Sequence, residues 1–233
     1  MAITARDIAA TSPSTDSHPS ANPAGYQSAP NVQPASPLYQ LINLSHSFAG
    51  DVPALDDINT GIPADGCTAL VGANGAGKST LLHLLAGLLA PTRGQILWQG
   101  KAISPDLLKT DTTLRRDFRR SLGIVFQDPD AQWLCNTVQE EVEYGPHQIW
   151  HAREARDRAA HTMALLGINH LADRPPYTLS GGQKRRVALA SVIAMDPAVL
   201  LLDEPTLSLD AATSDFLLDW LSEFLAQPGK TVI

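Results

Sequence analysis

A glycine-rich segment at residues 72–79 constrains the fold of this chain more than any other feature. It fits the pattern G-x-x-x-x-G-K-[ST], in which Lys78 and Ser79 occupy the last two positions. The glycines permit a tight turn whose backbone N–H groups point inward, and no Cβ blocks the approach of a phosphate. Lys78 would reach the β- and γ-phosphates, and Ser79 would offer a hydroxyl to Mg²⁺. The segment therefore predicts a polyphosphate-binding loop.

The sequence on either side of the loop supports this prediction. Residues 67–71 are typical of a short apolar strand, and leucines follow the loop at helical spacing until Pro91 ends the predicted helix. Chance is the alternative, because the pattern occurs in about one random chain of this length in a hundred. The order of strand, loop and helix favours a nucleotide-binding P-loop, to which the helix N-terminus adds positive charge.

Composition limits the classes of function. The 233 residues carry a formal net charge of −7 and are 44% hydrophobic, which fits one soluble globular unit and argues against a nucleic-acid partner held by bulk charge. The apolar runs fall far short of the roughly 20 residues of a membrane span, so another chain would have to do any spanning. Only Cys67 and Cys135 are present, which favours a reducing cytoplasm, and no secretory signal is visible.

Residues 1–37 differ in composition from the rest of the chain. They are dominated by Ala, Ser, Pro, Thr and Asn. Such a segment cannot bury enough surface to offset its ordering entropy, so we predict a disordered tail; a start-site artefact or a species-specific extension would behave in the same way. Order is expected from residue 38. Strand-like stretches near residues 38–48, 55–62 and 95–99 predict a small antiparallel sheet beside a parallel α/β core.

Two further patterns leave alternatives open. The basic segment at residues 114–120 is interpreted as a solvated helix face or a loop, and a nucleic-acid patch is the less favoured alternative in an acidic chain. His147 and His151 invite a metal-site hypothesis because they are four residues apart. No carboxylate or cysteine completes a set at ligand spacing, so solvated histidines are the preferred interpretation.

Polar residues also follow two apolar strands. Gln127 comes after the predicted strand at residues 122–126, at the edge where open α/β sheets bind ligands; a polar strand end facing solvent is the alternative. Residues 199–204 predict a strand buried on both faces that ends in Asp203 and Glu204. Asp203 would complete the Mg²⁺ shell, and Glu204 would orient or deprotonate the attacking water.

A second helix start suits an anion. Ser180 is a good N-cap, and the glycines that follow it leave the helix amides uncovered. In isolation, a plain glycine-rich helix start explains the same residues.

Taken in this order, the segments resemble the nucleotide-binding subunit of ABC transporters over residues 38–233. The resemblance rests on the P-loop at 72–79, the Q-loop at Gln127, the signature motif at 179–183, the Walker B strand at 199–204 and the D-loop at 208–210. It implies an α/β P-loop NTPase fold with a RecA-like parallel core, a small antiparallel β-subdomain and a helical signature subdomain at about residues 130–180.

The resemblance also implies the site and its cofactors, ATP and Mg²⁺. The implied catalytic residues are Glu204, Gln127 and Lys78, and the implied metal ligands are Ser79, Gln127 and Asp203. The implied nucleotide-binding residues are Phe48, Gly72, Ala73, Asn74, Gly75, Ala76, Gly77, Lys78, Ser79, Thr80, Ser180, Gly181, Gly182 and Gln183. Phe48 matches the aromatic residue that stacks on adenine, and a core phenylalanine is the alternative.

A narrower resemblance is to the energy-coupling-factor group, whose ATPases power uptake of cobalt, nickel or vitamins. It rests on residues 125–132, 137–141 and 144–146. It implies an ATP-hydrolysing subunit at the cytoplasmic face of the cell membrane, with no transmembrane segment of its own and no nucleic-acid partner. Its partners would be a second ATPase subunit, paired head to tail as a homo- or heterodimer, a transmembrane coupling subunit and a substrate-binding membrane subunit.

One element of the family pattern is missing. Residues 231–233 look like the strand that leads to the switch histidine, and none of the seven histidines follows Asp210. A C-terminally truncated product and a naturally short subunit are both consistent with this, and we expect the 233-residue chain to bind Mg-ATP but to hydrolyse it slowly. A hydrolysis-deficient ATP-binding module and a soluble ABC ATPase outside transport are the alternative functions.

Overall fold

The structure, a computed structural model, describes residues 8–11, 37–50, 52–206 and 209–233. Strands and helices follow one another in groups along this length. The strands are β1 Ile8–Thr11, β2 Tyr39–Phe48, β3 Val52–Ile62, β4 Gly66–Leu70, β5 Arg93–Trp98, β6 Lys101–Ile103, β7 Leu122–Val125, β8 Val199–Leu202 and β9 Thr231–Val232. The α-helices are α1 Lys78–Leu85, α2 Pro105–Thr110, α3 Thr112–Ser121, α4 Val138–His147, α5 Ala152–Leu165, α6 Gly181–Ile193 and α7 Ala211–Leu225.

The central sheet has the strand order β1-β4-β9-β8-β7, in which β4, β9, β8 and β7 run parallel. Val199, Leu200 and Leu201 of β8 are buried, as expected for a strand covered on both faces. The carboxyl ends of the parallel strands share one edge of the sheet, so the segments that follow β4, β7 and β8 come together there.

A second sheet, antiparallel with the order β3-β2-β5-β6, lies beside the first. Its buried residues, including Leu41, Leu44 and Ile58, belong to the same apolar core as Leu81 and Leu84 of α1. This core fixes α1, and with it the loop that precedes α1, against both sheets. The predicted architecture of a parallel α/β core with a small antiparallel sheet is confirmed.

Helices α4 and α5 lie between the Q-loop and the signature motif. Thr137 and Glu140 form a capping box at the start of α4, as their spacing predicts. The sequence predicts that this helix stops at Gly145 and Pro146, whereas α4 includes Pro146 and ends at His147. Proline is tolerated here because only the last turn follows it, where the amides of Gln148 and Trp150 bond to the carbonyls of Gly145 and Pro146. The boundaries of the domain and its helical part stay predictions.

Two other sequence predictions are corrected. Ile8–Thr11 forms a strand that pairs antiparallel with β4, inside the range predicted as a disordered tail. Main-chain pairing with an open sheet edge needs no large side chain, which is why composition does not reveal it. The rest of residues 1–36 lies outside the described residues, and disorder there stays a prediction.

Helix α1 ends at Leu85 rather than near Pro91, because Gly87 takes a left-handed φ of 65°.

Candidate functional site

The loop between β4 and α1 has the geometry of a phosphate cradle. Gly77 caps α1 with φ 102°, and a Cβ at this position would lie 2.4 Å from the carbonyl oxygen of Ala54. Only glycine fits both constraints. The Lys78 Nζ donates hydrogen bonds to the carbonyl oxygens of Gly72 at 2.9 Å and Ala73 at 3.0 Å, so the ammonium group lies against the loop. Ser79 and Thr80 follow in the first turn of α1.

Gln127 and Glu204 meet at the same edge of the sheet. The Gln127 Nε2 donates a hydrogen bond of 3.0 Å to the Glu204 Oε2, although 77 positions separate the two residues. Asp203 is buried, and its backbone N–H bonds to the Val125 carbonyl oxygen at 3.1 Å, which ties the end of β8 to β7. The structure therefore brings together the residues that follow β7 and β8, as the sequence predicts.

Glu204 has an unusual backbone conformation that the sequence does not signal. Its φ of 49° lies in the left-handed region, which non-glycine residues seldom adopt. Such a conformation persists where the surrounding structure holds it in place.

The signature segment begins α6. The Ser180 Oγ accepts a hydrogen bond from the Gln183 N–H at 3.4 Å, and the Gln183 Oε1 accepts one from the Ser180 N–H at 3.1 Å, which forms a capping box. A Cβ at Gly181 or Gly182 would meet nothing within 4 Å. The N-terminus of α6 thus has a rigid cap and an open front, and Ser180 and Gln183 use these side-chain bonds within their own turn rather than toward the P-loop of the same chain.

Two side chains of α6 hold the segment that follows β7. The Lys184 Nζ lies 2.6 Å from the Asp130 Oδ1, and the Trp133 Nε1 donates to the same carboxylate oxygen at 2.8 Å. These bonds, chiefly the one from Lys184, lower the pKa of Asp130. Arg185 is buried against main-chain carbonyls of the site. Sequence reasoning missed Lys184 and Arg185, because a basic pair after a helix start is typical of a solvated face.

The remaining predicted site residues lie at the edges of the site. Phe48 ends β2 and is 48% exposed, so the core alternative is wrong, while stacking on adenine stays a prediction. Its ring contacts His46 edge-on, with centroids 5.0 Å apart. Asp210 caps α7 by accepting hydrogen bonds from Thr213, which lower the pKa of Asp210. Ser208 of the predicted D-loop lies outside the described residues.

A metal site built wholly from protein ligands is not found among the described residues, since no three His, Cys, Asp or Glu side chains there form a group that would hold an ion. His147 instead lies 3.3 Å from the Glu143 carboxylate. The hydroxyl of Ser79 and the carboxylate of Asp203 are hard oxygen donors. They fit Mg²⁺, which keeps several waters and usually binds through one or two protein oxygens and substrate phosphates.

Comparison with known proteins agrees with this geometry. The ABC transporter family matches residues 55–207. A nickel import ATP-binding protein of Rhodobacter capsulatus is 45% identical over 201 residues, which cover 85% of this chain and 78% of that protein. An energy-coupling factor transporter ATP-binding protein of Methanospirillum hungatei is 42% identical over 198 residues, covering 84% of this chain and 48% of that protein.

A solved structure gives the same result. A dimeric ATP-binding cassette in a post-hydrolysis state, bound to ADP and phosphate, is similar with a TM-score of 0.72 at 29% identity, covering 83% of this chain and 85% of that chain. The chain therefore belongs to the ABC transporter family and is an ATPase of the ABC type. Within the family, the resemblance to the energy-coupling-factor group is confirmed. Among the described residues, no helix is long and apolar enough to cross a membrane.

Proposed function

We propose that this chain hydrolyses Mg-ATP as a subunit of an energy-coupling-factor importer at the cytoplasmic face of the cell membrane. The contact between Gln127 and Glu204 carries the proposal, because it places a carboxylate and an amide together at the sheet edge that also bears the P-loop. A loop that only bound nucleotide would need neither group there. The nucleotide-binding domain would comprise residues 38–233, with its helical part at about residues 130–180.

The chemistry follows from the positions of these groups. Backbone amides of residues 72–80 and the Lys78 ammonium would hold the phosphates, and Mg²⁺ held through Ser79 and Asp203 would neutralise developing negative charge. The Glu204 carboxylate would orient the attacking water and accept its proton, while Gln127 holds that carboxylate in place. Positioning and charge stabilisation supply most of the rate enhancement in phosphoryl transfer.

The site of one chain is half of the working site. Ser180 and Gly182 lie at an open helix N-terminus, where amides and the helix dipole attract negative charge. The side chains of Ser180 and Gln183 bond within this turn and not to the P-loop of the same chain. A second subunit, paired head to tail, would place its own α6 N-terminus over the γ-phosphate, and the dimeric cassette similar to this chain supports such a pair.

Phosphate release from Mg-ATP tests this proposal directly. If two chains complete each site, turnover per chain is expected to rise with protein concentration and to level off once the dimer predominates. The measurement is a phosphate-release assay over a wide range of concentrations of the purified chain. No release at any concentration, with nucleotide binding intact, would favour the alternative of an ATP-binding module without hydrolysis.

We propose that a membrane coupling subunit docks in a groove next to the Q-loop. The groove has a volume of about 860 Å³, an apolar lining and an arginine edge; it includes Leu88, Leu134, Tyr144, Arg116, Arg119 and Arg120. Leu88, Leu134 and Tyr144 are all exposed within this one groove, and grouped apolar side chains of this kind mark protein–protein contact sites. The groove includes Gln132 and Leu134, which follow Asp130, the partner of Lys184. A subunit docked there would therefore contact the segment that begins at Gln127.

Replacing Leu134 by aspartate tests the docking surface. We expect the L134D variant to lose association with its membrane subunits, because an ionised carboxylate would replace an apolar contact and would lose its hydration on docking, while nucleotide binding is retained. Co-purification from detergent-solubilised membranes measures the association. Leu218→Asp is the matched control, since Leu218 is 54% exposed on α7 and does not line the groove. Equal co-purification of both variants would contradict the assignment.

The transported substrate would be a metal ion or a vitamin. One relative is a nickel import protein and another belongs to an energy-coupling factor transporter, which supports this class. In such an importer a separate membrane subunit would recognise the substrate, and this chain would supply the energy. Uptake of radioactive nickel, cobalt and vitamins by cells that express the complete transporter would distinguish the candidates.

A further inference from the structure

Arg185 is a cation enclosed within the fold. It lies in the second turn of α6 and is 3% exposed. The hydrogen bonds of its guanidinium within the described residues end on main-chain carbonyl oxygens rather than on a carboxylate. Burial lowers the pKa of Arg185, and the negative charges of Asp203 and Glu204 oppose this effect. A buried cation of this kind is held only while all of its carbonyl partners keep their positions.

These carbonyls belong to the two segments that carry the site. The Nη1 donates to Phe126 at 3.0 Å and to Gln127 at 2.5 Å, which fixes the start of the Q-loop. The Nη2 donates to Asp203 at 3.1 Å and to Glu204, and the Nε donates to Pro205 at 3.4 Å. The planar fork of one guanidinium thus spans the ends of β7 and β8, which a lysine ammonium does not match.

The segments that Arg185 joins are those whose side chains must meet. Gln127 donates to Glu204 across 3.0 Å, and Glu204 reaches this contact from a backbone with φ 49°. The bond from Arg185 to the Glu204 carbonyl oxygen is one of the contacts that hold this conformation in place. Arg185 therefore holds the main chain that carries these two side chains, and its own hydrogen bonds go to main-chain carbonyls.

Arg185 also belongs to the helix that faces a partner subunit. Ser180 caps α6 five residues earlier, about 7.5 Å along the helix axis. Lys184, the neighbouring residue, pairs with Asp130 in the segment after Gln127. A movement of α6 as it closes on a nucleotide is consequently carried to both strand ends through these two side chains.

We propose that Arg185 is a positioning residue. When the α6 N-terminus contacts the nucleotide bound to a partner subunit, Arg185 transmits this contact to the Gln127–Glu204 pair of its own subunit. The inference rests on the proposed function, since it requires two chains that share their nucleotide sites. The proposal adds a physical connection between the two nucleotide sites that neither the P-loop nor the signature motif provides by itself.

Steady-state kinetics of R185Q and R185K in the full chain test the proposal. We expect kcat of R185Q to fall at least about 30-fold while KM for Mg-ATP changes less than about 2-fold, because misplacement of a catalytic group lowers turnover without weakening ground-state binding. R185K is expected to recover part of the loss. Arg158→Gln on α5 is the control, since Arg158 pairs with Glu154 and stacks on Trp150, away from the site.

A role limited to folding gives a different result. It would lower the melting temperature and the nucleotide affinity of R185Q together, and would leave the kcat of the folded R185K variant at the wild-type value. That outcome overturns the proposal.

A double-mutant cycle with Ser180→Ala tests transmission. If Ser180 and Arg185 act in one chain of contacts, the double variant S180A/R185K is expected to turn over about as fast as the slower single variant. If the fold-losses in kcat of the two single variants multiply in the double variant, transmission through this chain of contacts is overturned.

Hydrogen exchange separates failure of this inference from failure of the proposed function. If the wild-type chain does not hydrolyse ATP, the proposed function fails, and exchange at the amides of residues 126–128, 203 and 204 still decides the role of Arg185. Mg-ATP is expected to slow exchange there in the wild-type chain and much less in R185K. Equal slowing in both chains overturns the inference.

Discussion

Replacing Lys78 by alanine is expected to weaken Mg-ATP binding at least about 100-fold, which corresponds to about 2.7 kcal/mol of binding free energy. The Lys78 ammonium lies against the loop through hydrogen bonds to the carbonyl oxygens of Gly72 and Ala73, so it is already placed beside the phosphate positions. A charge-assisted bond to a phosphate is much stronger than the bonds to those carbonyls. Titration with a fluorescent ATP analogue, in the presence of Mg²⁺, measures the affinity.

The fold is expected to survive this change. Lys78 bonds to loop carbonyls at the surface rather than to the core, and substitutions at such positions alter the free energy of unfolding by about 1 kcal/mol or less. Lys109→Ala is the matched control, because Lys109 is an exposed lysine of α2 that pairs only with Asp106 among the described residues. Unchanged affinity in K78A would contradict the P-loop assignment itself.

Replacing Glu204 by glutamine is expected to lower ATP turnover at least about 100-fold, because a general base typically contributes 10²- to 10⁴-fold to the rate. Glutamine keeps the shape of the side chain and an oxygen that accepts the hydrogen bond from Gln127, which spans 3.0 Å in the wild-type chain. It removes the carboxylate that would orient the water and accept its proton. Nucleotide affinity is expected to stay within about 3-fold, because the P-loop contacts are unaltered.

Single-turnover phosphate release measures the effect of E204Q, and the stable E204Q–ATP complex offers a second measurement. If two chains share each site, as proposed, and hydrolysis separates them, ATP is expected to shift the E204Q variant toward a dimer in size-exclusion chromatography. Glu223→Gln on the exposed surface of α7 is the control for the loss of one carboxylate. Turnover of E204Q within 3-fold of the wild-type rate would remove Glu204 from the mechanism.

The features that were predicted correctly from the sequence are those whose geometry is set by residues close together in the chain. The phosphate loop is a contiguous segment whose glycines are required by its own turn, and Gly77 has the φ of 102° that such a turn needs. The predicted capping box at Thr137 and the predicted N-cap at Ser180 each involve residues within four positions of one another. The spacing of these residues alone determines whether they meet, so the sequence is sufficient evidence.

Predictions that depend on distant residues were incomplete. The sequence indicated that Gln127 and Glu204 lie at the same sheet edge, but not that their side chains bond or that Glu204 adopts φ 49°. It gave no sign of the pairing between Ile8–Thr11 and β4, which is made by main-chain groups common to all residues. It also gave no indication that Arg185 is buried against the ends of β7 and β8.

By itself the sequence determined the kind of site, namely a phosphate loop, a Q-loop glutamine, a signature helix and a pair of carboxylates in family order. The tertiary structure decided how these parts are connected. Strand order brings the ends of β7 and β8 side by side, and one buried guanidinium then ties both ends to helix α6. Short motifs fix local geometry, whereas the contacts that join them depend on packing between segments about 20 to 80 positions apart, which residue spacing does not encode.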